Sequence, residues 1–137
     1  MAEMFPTADD EAVAALQSAV GVLAAKWSVL VLTRLGEGTY RFNELLRQID
    51  GVSRRMLSAT LRQLEEDGLV ERRVYARVPS RVEYDLSPAG EHLLVALVPL
   101  AGWGLEHRKE LSDARLQRSR LKAEEITARS QSTPRIV

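Results

Sequence analysis

The residues with the clearest chemical potential are three polar side chains on one face of a predicted helix. Arg55, Ser58 and Arg62 recur at helical spacing with Arg54 on their flank, and three leucines occupy the opposite face: Leu57, Leu61 and Leu64. Guanidinium groups bind phosphates and guanine edges, whereas bulky apolar side chains gain nothing there. The face is therefore typical of a helix that enters the major groove of DNA, and a merely solvated helix face is the competing interpretation.

Two short helices joined by a tight turn would position this face. Apolar spacing predicts a first helix over 42–49, a glycine-bearing turn over 50–52 and a second helix over 53–67 that stops at Gly68. Ser53 is predicted to cap the second helix, whose free amide groups would suit a phosphate. Arg41, at the start of the first helix, is either a phosphate contact or an exposed structural arginine. This pattern predicts a helix-turn-helix.

A β-hairpin is predicted directly after these helices. The stretches 69–75 and 81–86 alternate with period two and are rich in β-branched and aromatic residues, and a proline stands in the turn between them. Such a hairpin is a wing. Its candidate contacts with the DNA backbone or a narrow minor groove are Arg77, Ser80 and Arg81, with an ordinary hairpin surface as the competing interpretation. The predicted fold class is therefore mainly α with a β-hairpin wing (α+β), a winged helix-turn-helix.

Further apolar helices flank this module. One begins at Asp9 or Asp10, a nearly all-apolar helix spans 27–35, and another starts at Ser87 and Pro88, where Pro99 should kink it. The first and last carry more apolar surface than a small winged core can cover. We therefore expect N- and C-terminal helices to form a homodimer interface through these residues: Val13, Leu16, Val20, Leu93, Leu97, Leu100 and Trp103.

Charge is distributed unevenly along a chain of 137 residues with a formal net charge of zero. Residues 53–81 carry seven arginines against four acidic residues, a net charge of +3, while residues 1–25 carry no lysine or arginine. A local basic surface suffices to attract phosphate, because charges farther away than about 10 Å are screened. The sequence predicts a disordered N-terminus over 1–8, a winged domain with dimerisation helices over 9–105, a charged helix over 106–128 and a disordered tail over 129–137.

Several classes of function lack their required residues. The chain has no cysteine, which excludes disulfides and thiol redox chemistry. Its two histidines, His92 and His107, stand alone, and no nucleotide-binding or catalytic motif is present, so we expect no metal, no cofactor and no enzyme activity. We find neither a signal peptide nor an apolar run of about 18 residues, and we expect a soluble, cytoplasmic protein.

Several motifs together resemble HxlR-type bacterial transcriptional regulators, winged-helix relatives of the MarR group. They cover roughly residues 14–104 and read Lys26-Trp27, Arg41-Phe42-Asn43-Glu44-Leu45, Leu61-x-x-Leu64-Glu65-x-Asp67-Gly68-Leu69-Val70-x-Arg72 and Val78-Pro79-x-Arg81-Val82-Glu83-Tyr84-x-Leu86. The resemblance implies a homodimeric DNA-binding regulator with the helix from Ser53 in the major groove. Many such regulators sense oxidants through a cysteine about where Ala14 stands, and this chain departs from that pattern.

The resulting prediction is a sequence-specific regulator that binds a palindromic operator in double-stranded DNA as a homodimer and represses transcription. Its signal would not involve a thiol, and a small-molecule effector remains open. The alternative is a winged-helix module that binds another protein and not DNA. Such a module would need neither the outward arginines of the second helix nor an arginine-bearing wing.

Overall fold

The computed structural model describes residues 10–132 of the chain, and it contains six helices and one hairpin over that range. In chain order they are α1 (Glu11–Leu23), α2 (Ser28–Glu37), α3 (Phe42–Gln48), α4 (Arg54–Glu66), β1 (Val70–Tyr75), β2 (Arg81–Leu86), α5 (Pro88–Glu106) and α6 (Arg108–Gln131). The predicted fold class, mainly α with a β-hairpin wing, is confirmed. The chain forms two compact units whose boundary falls within α5, the first ending at Ala96 and the second beginning at Leu97.

The core of the first unit consists of aliphatic side chains from α2, α3, α4 and the hairpin. The predicted inward face of α4 is buried, since Leu57 and Leu64 are fully inaccessible to solvent and Leu61 is 2% exposed. Helix α2 contributes three further buried hydrophobic residues besides buried Ser28, which explains its nearly all-apolar sequence. The complete set of buried hydrophobic residues in the described chain is Val31, Leu32, Leu35, Leu45, Ile49, Val52, Leu57, Leu61, Leu64, Val70 and Leu86.

The turn and the end of the helix-turn-helix both use glycine in the left-handed region. Gly51 has φ +83° between α3 and α4, and Gly68 has φ +74° after α4. At Gly68 the amide groups of Gly68 and Leu69 donate to the carbonyl oxygens of Glu65 and Leu64, at 3.0 and 2.9 Å. This paired C-terminal arrangement satisfies two carbonyl groups that the helix leaves free, and it fixes the direction in which the chain enters β1.

The hairpin is antiparallel, with Val70 opposite Leu86 at its base and Tyr75 opposite Arg81 near its tip. Tyr40 adds an isolated bridge to Tyr84, with reciprocal backbone hydrogen bonds of 3.1 and 2.8 Å. The segment between α2 and α3 is thus extended at Tyr40. This bridge places the start of α3 beside β2.

The base of the hairpin is tied to the start of α5. The Ser87 hydroxyl donates to the carbonyl oxygen of Gly68 at 2.6 Å and accepts from the amide of Gly90 at 3.1 Å. Ser87 is therefore both a helix cap, as predicted, and a link to the end of α4.

Helix α5 runs from Pro88 to Glu106 with Pro99 in its interior, the position where a kink is predicted. The second half of the chain departs from the prediction at its end. Helix α6 continues to Gln131, three residues into the segment predicted to be a disordered tail. The predicted disordered N-terminus over 1–8 and the last part of the predicted tail, 133–137, lie outside the described residues.

Within residues 10–132, no single helix is both long and apolar enough to cross a bilayer. Helices α1 and α2 meet that requirement only as a pair, and the pair is bent by 85°. The buried side of α2 belongs to the core described above.

Candidate nucleic-acid interface

The outer face of α4 is exposed to solvent, and its polar side chains have no partner in the described part of the chain. Ser53 caps the helix as predicted, since its hydroxyl accepts from the amide of Met56 at 3.1 Å. Arg55, Ser58 and Arg62 are exposed, and within residues 10–132 their side chains form no hydrogen bond or ion pair. Two unpaired guanidinium groups therefore stand on the helix face opposite the buried leucines.

Arg54 has a different environment from Arg55. Its guanidinium group donates to the Asn43 side-chain oxygen at 3.1 Å and lies over the ring of Phe42, with 6.0 Å between the carbon of the guanidinium group and the ring centroid. These contacts connect the first turn of α4 to the first turn of α3. Arg54 thus helps to fix the angle between the two helices, while it remains exposed to solvent.

A small groove of about 270 Å³ separates α4 from the hairpin. Arg62 lines it on the helix side and Arg72 on the strand side, and the rest of the lining is formed by Ser58, Leu61, Glu65 and Tyr84. Arg72 was not among the predicted contacts, and it is exposed with no partner in the described chain. The strand periodicity carried a signal for it, because Arg72 is two residues from buried Val70 and shares that face of β1.

The two arginines of the wing differ in their environment. Arg77 is exposed, and its side chain has no partner among residues 10–132. Arg81 is half-buried, forms an ion pair with Glu83 and lies 5.9 Å from the centroid of the Tyr75 ring. Ser80 is exposed between them. The uncompensated positive charge at the wing tip therefore belongs to Arg77.

Arg41 lies at the edge of a second groove, between the start of α3 and the start of β2. This groove has a volume of about 690 Å³, and it is lined by Arg41, Phe42, Asn43, Glu44, Arg47, Ser80, Arg81 and Val82. Arg41 and Arg47 are both exposed, whereas the Glu44 carboxylate accepts from the Arg41 backbone amide at 3.0 Å and so stabilises the first turn of α3. Arg47, like Arg72, is a basic residue that is not among the predicted contacts.

Tyr40 supports the same turn of the chain. Its hydroxyl donates to the Glu37 carboxylate at 3.2 Å. Partial removal from water, this hydrogen bond and the negative charge of Glu37 raise the pKa of Tyr40 above its ordinary value of 10.0.

The residues predicted to form the dimer interface fall into two groups. In α1, Leu16 and Val20 are 47% and 55% exposed, and Val13 is half-buried. In α5, Leu100 and Trp103 are 58% and 49% exposed, Leu97 is half-buried, and Leu93 packs against the core of the first unit. Leu93 thus has a partner within its own chain, whereas four of the seven predicted residues remain exposed.

No metal site is formed by the described residues, among which no group of three histidine, cysteine, aspartate or glutamate side chains comes together. His92 is exposed, and the His107 ring stacks on Trp103 with 4.8 Å between ring centroids. Neither histidine therefore belongs to a group of side chains that could hold a metal ion in the described part of the chain.

Comparison with known proteins agrees with this architecture. Curated relatives include an HTH-type transcriptional regulator from Methanothermobacter thermautotrophicus, 44% identical over 96 residues, with 70% of this chain and 73% of the relative covered. The regulator YtfH from Escherichia coli is 46% identical over 81 residues, covering 59% of this chain and 64% of YtfH.

Solved structures show the same fold. A MarR-family regulator from Enterococcus faecalis superposes with a TM-score of 0.69 and 33% identity, over 80% of this chain and 99% of that one. The redox regulator HypR in its reduced form gives a TM-score of 0.66 and 35% identity, over 72% and 97%. Residues 22–112 match the family model for the HxlR-like helix-turn-helix. Because that match spans α2 to the start of α6, the chain belongs to the HxlR-like helix-turn-helix family of transcriptional regulators.

Proposed function

We propose that this protein is a sequence-specific transcriptional repressor that binds a palindromic operator as a homodimer in the cytoplasm. The observation that carries the proposal is the outer face of α4, where Arg55, Ser58 and Arg62 are exposed and unpaired behind a capped helix start. Free guanidinium groups on this face can bind base edges or phosphates without first breaking an internal contact.

Each part of the surface receives a different role. Arg55 lies in the first turn of α4, the part of such a helix that goes deepest into the groove, and we assign it with Ser58 to base edges. Arg62, together with Arg72 across the groove, is assigned to phosphates. The start of α4, which Ser53 caps, offers free backbone amide groups to a further phosphate. Arg77 and Ser80 are assigned to the backbone or minor groove beside the wing, and so is Arg81, with a weaker contact because of its ion pair with Glu83. Arg41 is assigned to a phosphate near α3.

Homodimerisation is proposed from the exposed apolar residues of α1 and α5. A two-fold interface would place two α4 helices on successive major grooves, which are about 34–36 Å apart on one side of the duplex. Two-fold symmetry of the protein then requires a palindromic operator.

The proposed signal does not involve a thiol. One related solved protein is described as a redox regulator, and another, YodB, was solved after diamide treatment. This chain contains no cysteine, so it has no thiolate to oxidise or alkylate. A small-molecule effector that changes the spacing of the two α4 helices would serve instead.

The test is footprinting of the region upstream of the protein's own gene, followed by titration of the protected duplex and a scrambled duplex. Arg55→Ala should weaken operator binding by roughly 1–3 kcal/mol and reduce the operator-to-scrambled ratio. If Arg55→Ala leaves that ratio unchanged, the base-reading assignment is wrong. If the wild type binds neither duplex at low salt, the protein-binding alternative replaces the proposal.

A further inference from the structure

Helix α6 has a strongly asymmetric charge distribution. Arg108, Arg115, Lys122 and Arg129 recur every seven residues, a spacing that returns an α-helix to within about 20° of the same direction. Arg118 lies on the same half of the helix, and Glu125 is the single carboxylate there. The acidic side chains Glu110, Asp113 and Glu124 lie on the other half.

This basic face is available to a partner. Every residue of α6 is exposed, and Arg129 pairs with Glu125 at 3.0 Å. Within residues 10–132, the side chains of Arg108, Arg115, Arg118 and Lys122 form no ion pair or hydrogen bond. A shallow groove of about 390 Å³ runs along the same face and is lined by Gly104, Arg108, Leu111, Ser112, Arg115, Leu116 and Ser119. Two guanidinium groups and two hydroxyl groups thus border one depression.

We propose that the basic face of α6 is a second DNA-binding surface, which contacts phosphates of the duplex without reading its sequence. This proposal rests on the function proposed above. The face extends about 32 Å from Arg108 to Arg129, close to the length of one duplex turn, with cations about every 10 Å. Arginine, lysine and serine side chains donate hydrogen bonds to phosphate oxygens, and here they recur at regular spacing. The family match ends at residue 112, so most of this surface lies outside the part shared with the family.

A second copy of α6 fits this face poorly. In a coiled coil, the residues of α6 that would face the second helix are Leu116, Ala123 and Ile126, with serines between them. The basic residues that recur every seven positions, from Arg108 to Arg129, lie directly beside these contact positions. Antiparallel pairing would set these basic residues against their own copies. Parallel pairing would set Arg115 against Arg120 of the second copy, another repulsive contact.

An anionic membrane surface also fits poorly. A helix that lies on a membrane needs an apolar face beside its basic one. Here the side opposite the basic face carries Glu110, Asp113 and Glu124, and the exposed leucines follow a five-residue spacing that points them in different directions.

The experiment compares two double variants of the full-length protein that remove equal charge from one helix. Arg115→Gln with Lys122→Gln changes the basic face, whereas Lys109→Gln with Arg120→Gln changes the other half. Each pair removes one arginine and one lysine from exposed positions, and glutamine is a good helix former. Circular dichroism checks that both variants keep the wild-type helix content.

Binding to operator and scrambled duplexes is then measured over a range of salt concentrations. Loss of two contacts per protomer should lower the salt slope of the basic-face variant by about 3–4 per dimer. Between about 50 and 200 mM salt, the wild type should then lose roughly 100-fold more affinity than this variant. The control pair should change the slope by less than about one unit, and both variants should keep the operator-to-scrambled ratio, because phosphate contacts carry no sequence information.

Equal salt slopes for the two double variants would overturn the inference. The function proposed above would survive that result if Arg55→Ala still lowers the operator-to-scrambled ratio. If the wild type binds neither duplex, both proposals fail together.

Discussion

The two arginines that flank the wing turn carry the same formal charge in different surroundings. Arg77 is exposed and without a partner in the described chain, whereas Arg81 is paired with Glu83 and lies against Tyr75. An arginine that already has a carboxylate partner offers less net charge to a phosphate. Arg77→Gln should therefore lower the salt slope of DNA binding by about one unit per protomer, and Arg81→Gln by less.

Titration of both variants against one duplex at several salt concentrations measures this difference. Lys26→Gln, which removes a cation that lies over the Trp27 ring and outside the hairpin, serves as the charge-matched control. Equal slopes for Arg77→Gln and Arg81→Gln would contradict the distinction and show that Arg81 leaves Glu83 when DNA binds.

At this scale the sequence identified the exposed face of α4 correctly, because helical periodicity alone separates Arg55, Ser58 and Arg62 from the leucines. It placed Arg54 on the flank of this face but did not predict a partner for its side chain. That partner is Asn43, eleven residues away, across a turn whose geometry the sequence does not specify. Arg72 was missed for a related reason, since it lines a groove whose other wall is Arg62.

At the scale of the elements, the hairpin and α5 meet at Gly90. Among the glycines of the described chain, Gly90 is the one whose added Cβ would come closest to a neighbouring atom. A Cβ atom added to Gly90 would lie 2.2 Å from the carbonyl oxygen of Leu69 and 3.3 Å from the Leu86 side chain. Gly90→Ala would therefore force α5 away from the hairpin, and we expect the free energy of unfolding to fall by about 1–3 kcal/mol. Urea denaturation followed by circular dichroism measures this change.

Gly21→Ala is the matched control, because Gly21 also lies in a helix of the first unit and its added Cβ would meet nothing within 4 Å. We expect this variant to be more stable than the wild type by roughly 0.5–1 kcal/mol, since alanine favours helix. A Gly90→Ala protein with wild-type stability would mean that the junction relaxes without cost.

The element boundaries were predictable where a cap defines them. Three helices begin at a residue whose side chain accepts a hydrogen bond from a backbone amide: Asp10, Ser53 and Ser87. Helix α4 is terminated by Gly68. Prediction was poorer where no cap is present. The first helix-stopping residue in the sequence after Ala128 is Pro134, and α6 continues to Gln131.

For the molecule as a whole, the absence of cysteine has a direct experimental consequence. The chain has no cysteine in any of its 137 positions. Diamide or quinone treatment should therefore leave operator affinity unchanged, because neither reagent finds a thiolate. The measurement is operator binding before and after treatment. Peroxide is the informative control, since Met56 in α4 is 45% exposed and can be oxidised, whereas diamide requires a thiol. A rapid loss of binding under diamide, reversed by a reductant, would contradict this prediction.

Assembly is the remaining property of the whole molecule. Leu16 in α1 and Leu100 in α5 are exposed within one chain, so their replacement should leave the folded protomer intact. If a second copy covers them, a buried carboxylate at either position is strongly unfavourable. We expect light scattering to give twice the 15.3 kDa chain mass for the wild type at micromolar concentration. Leu16→Asp and Leu100→Asp should shift the protein to monomer and weaken operator binding through the loss of paired half-sites.

Val78→Asp is the control for this experiment, because it makes a similar apolar-to-acidic change at a fully exposed wing residue outside the proposed interface. It should remain a dimer. Leu93 is unsuitable as a test position, since it packs against the core and its replacement would confuse unfolding with dissociation. A wild-type protein that is monomeric at micromolar concentration, or Leu16→Asp and Leu100→Asp variants that remain dimeric, would show that these apolar residues do not hold two copies together.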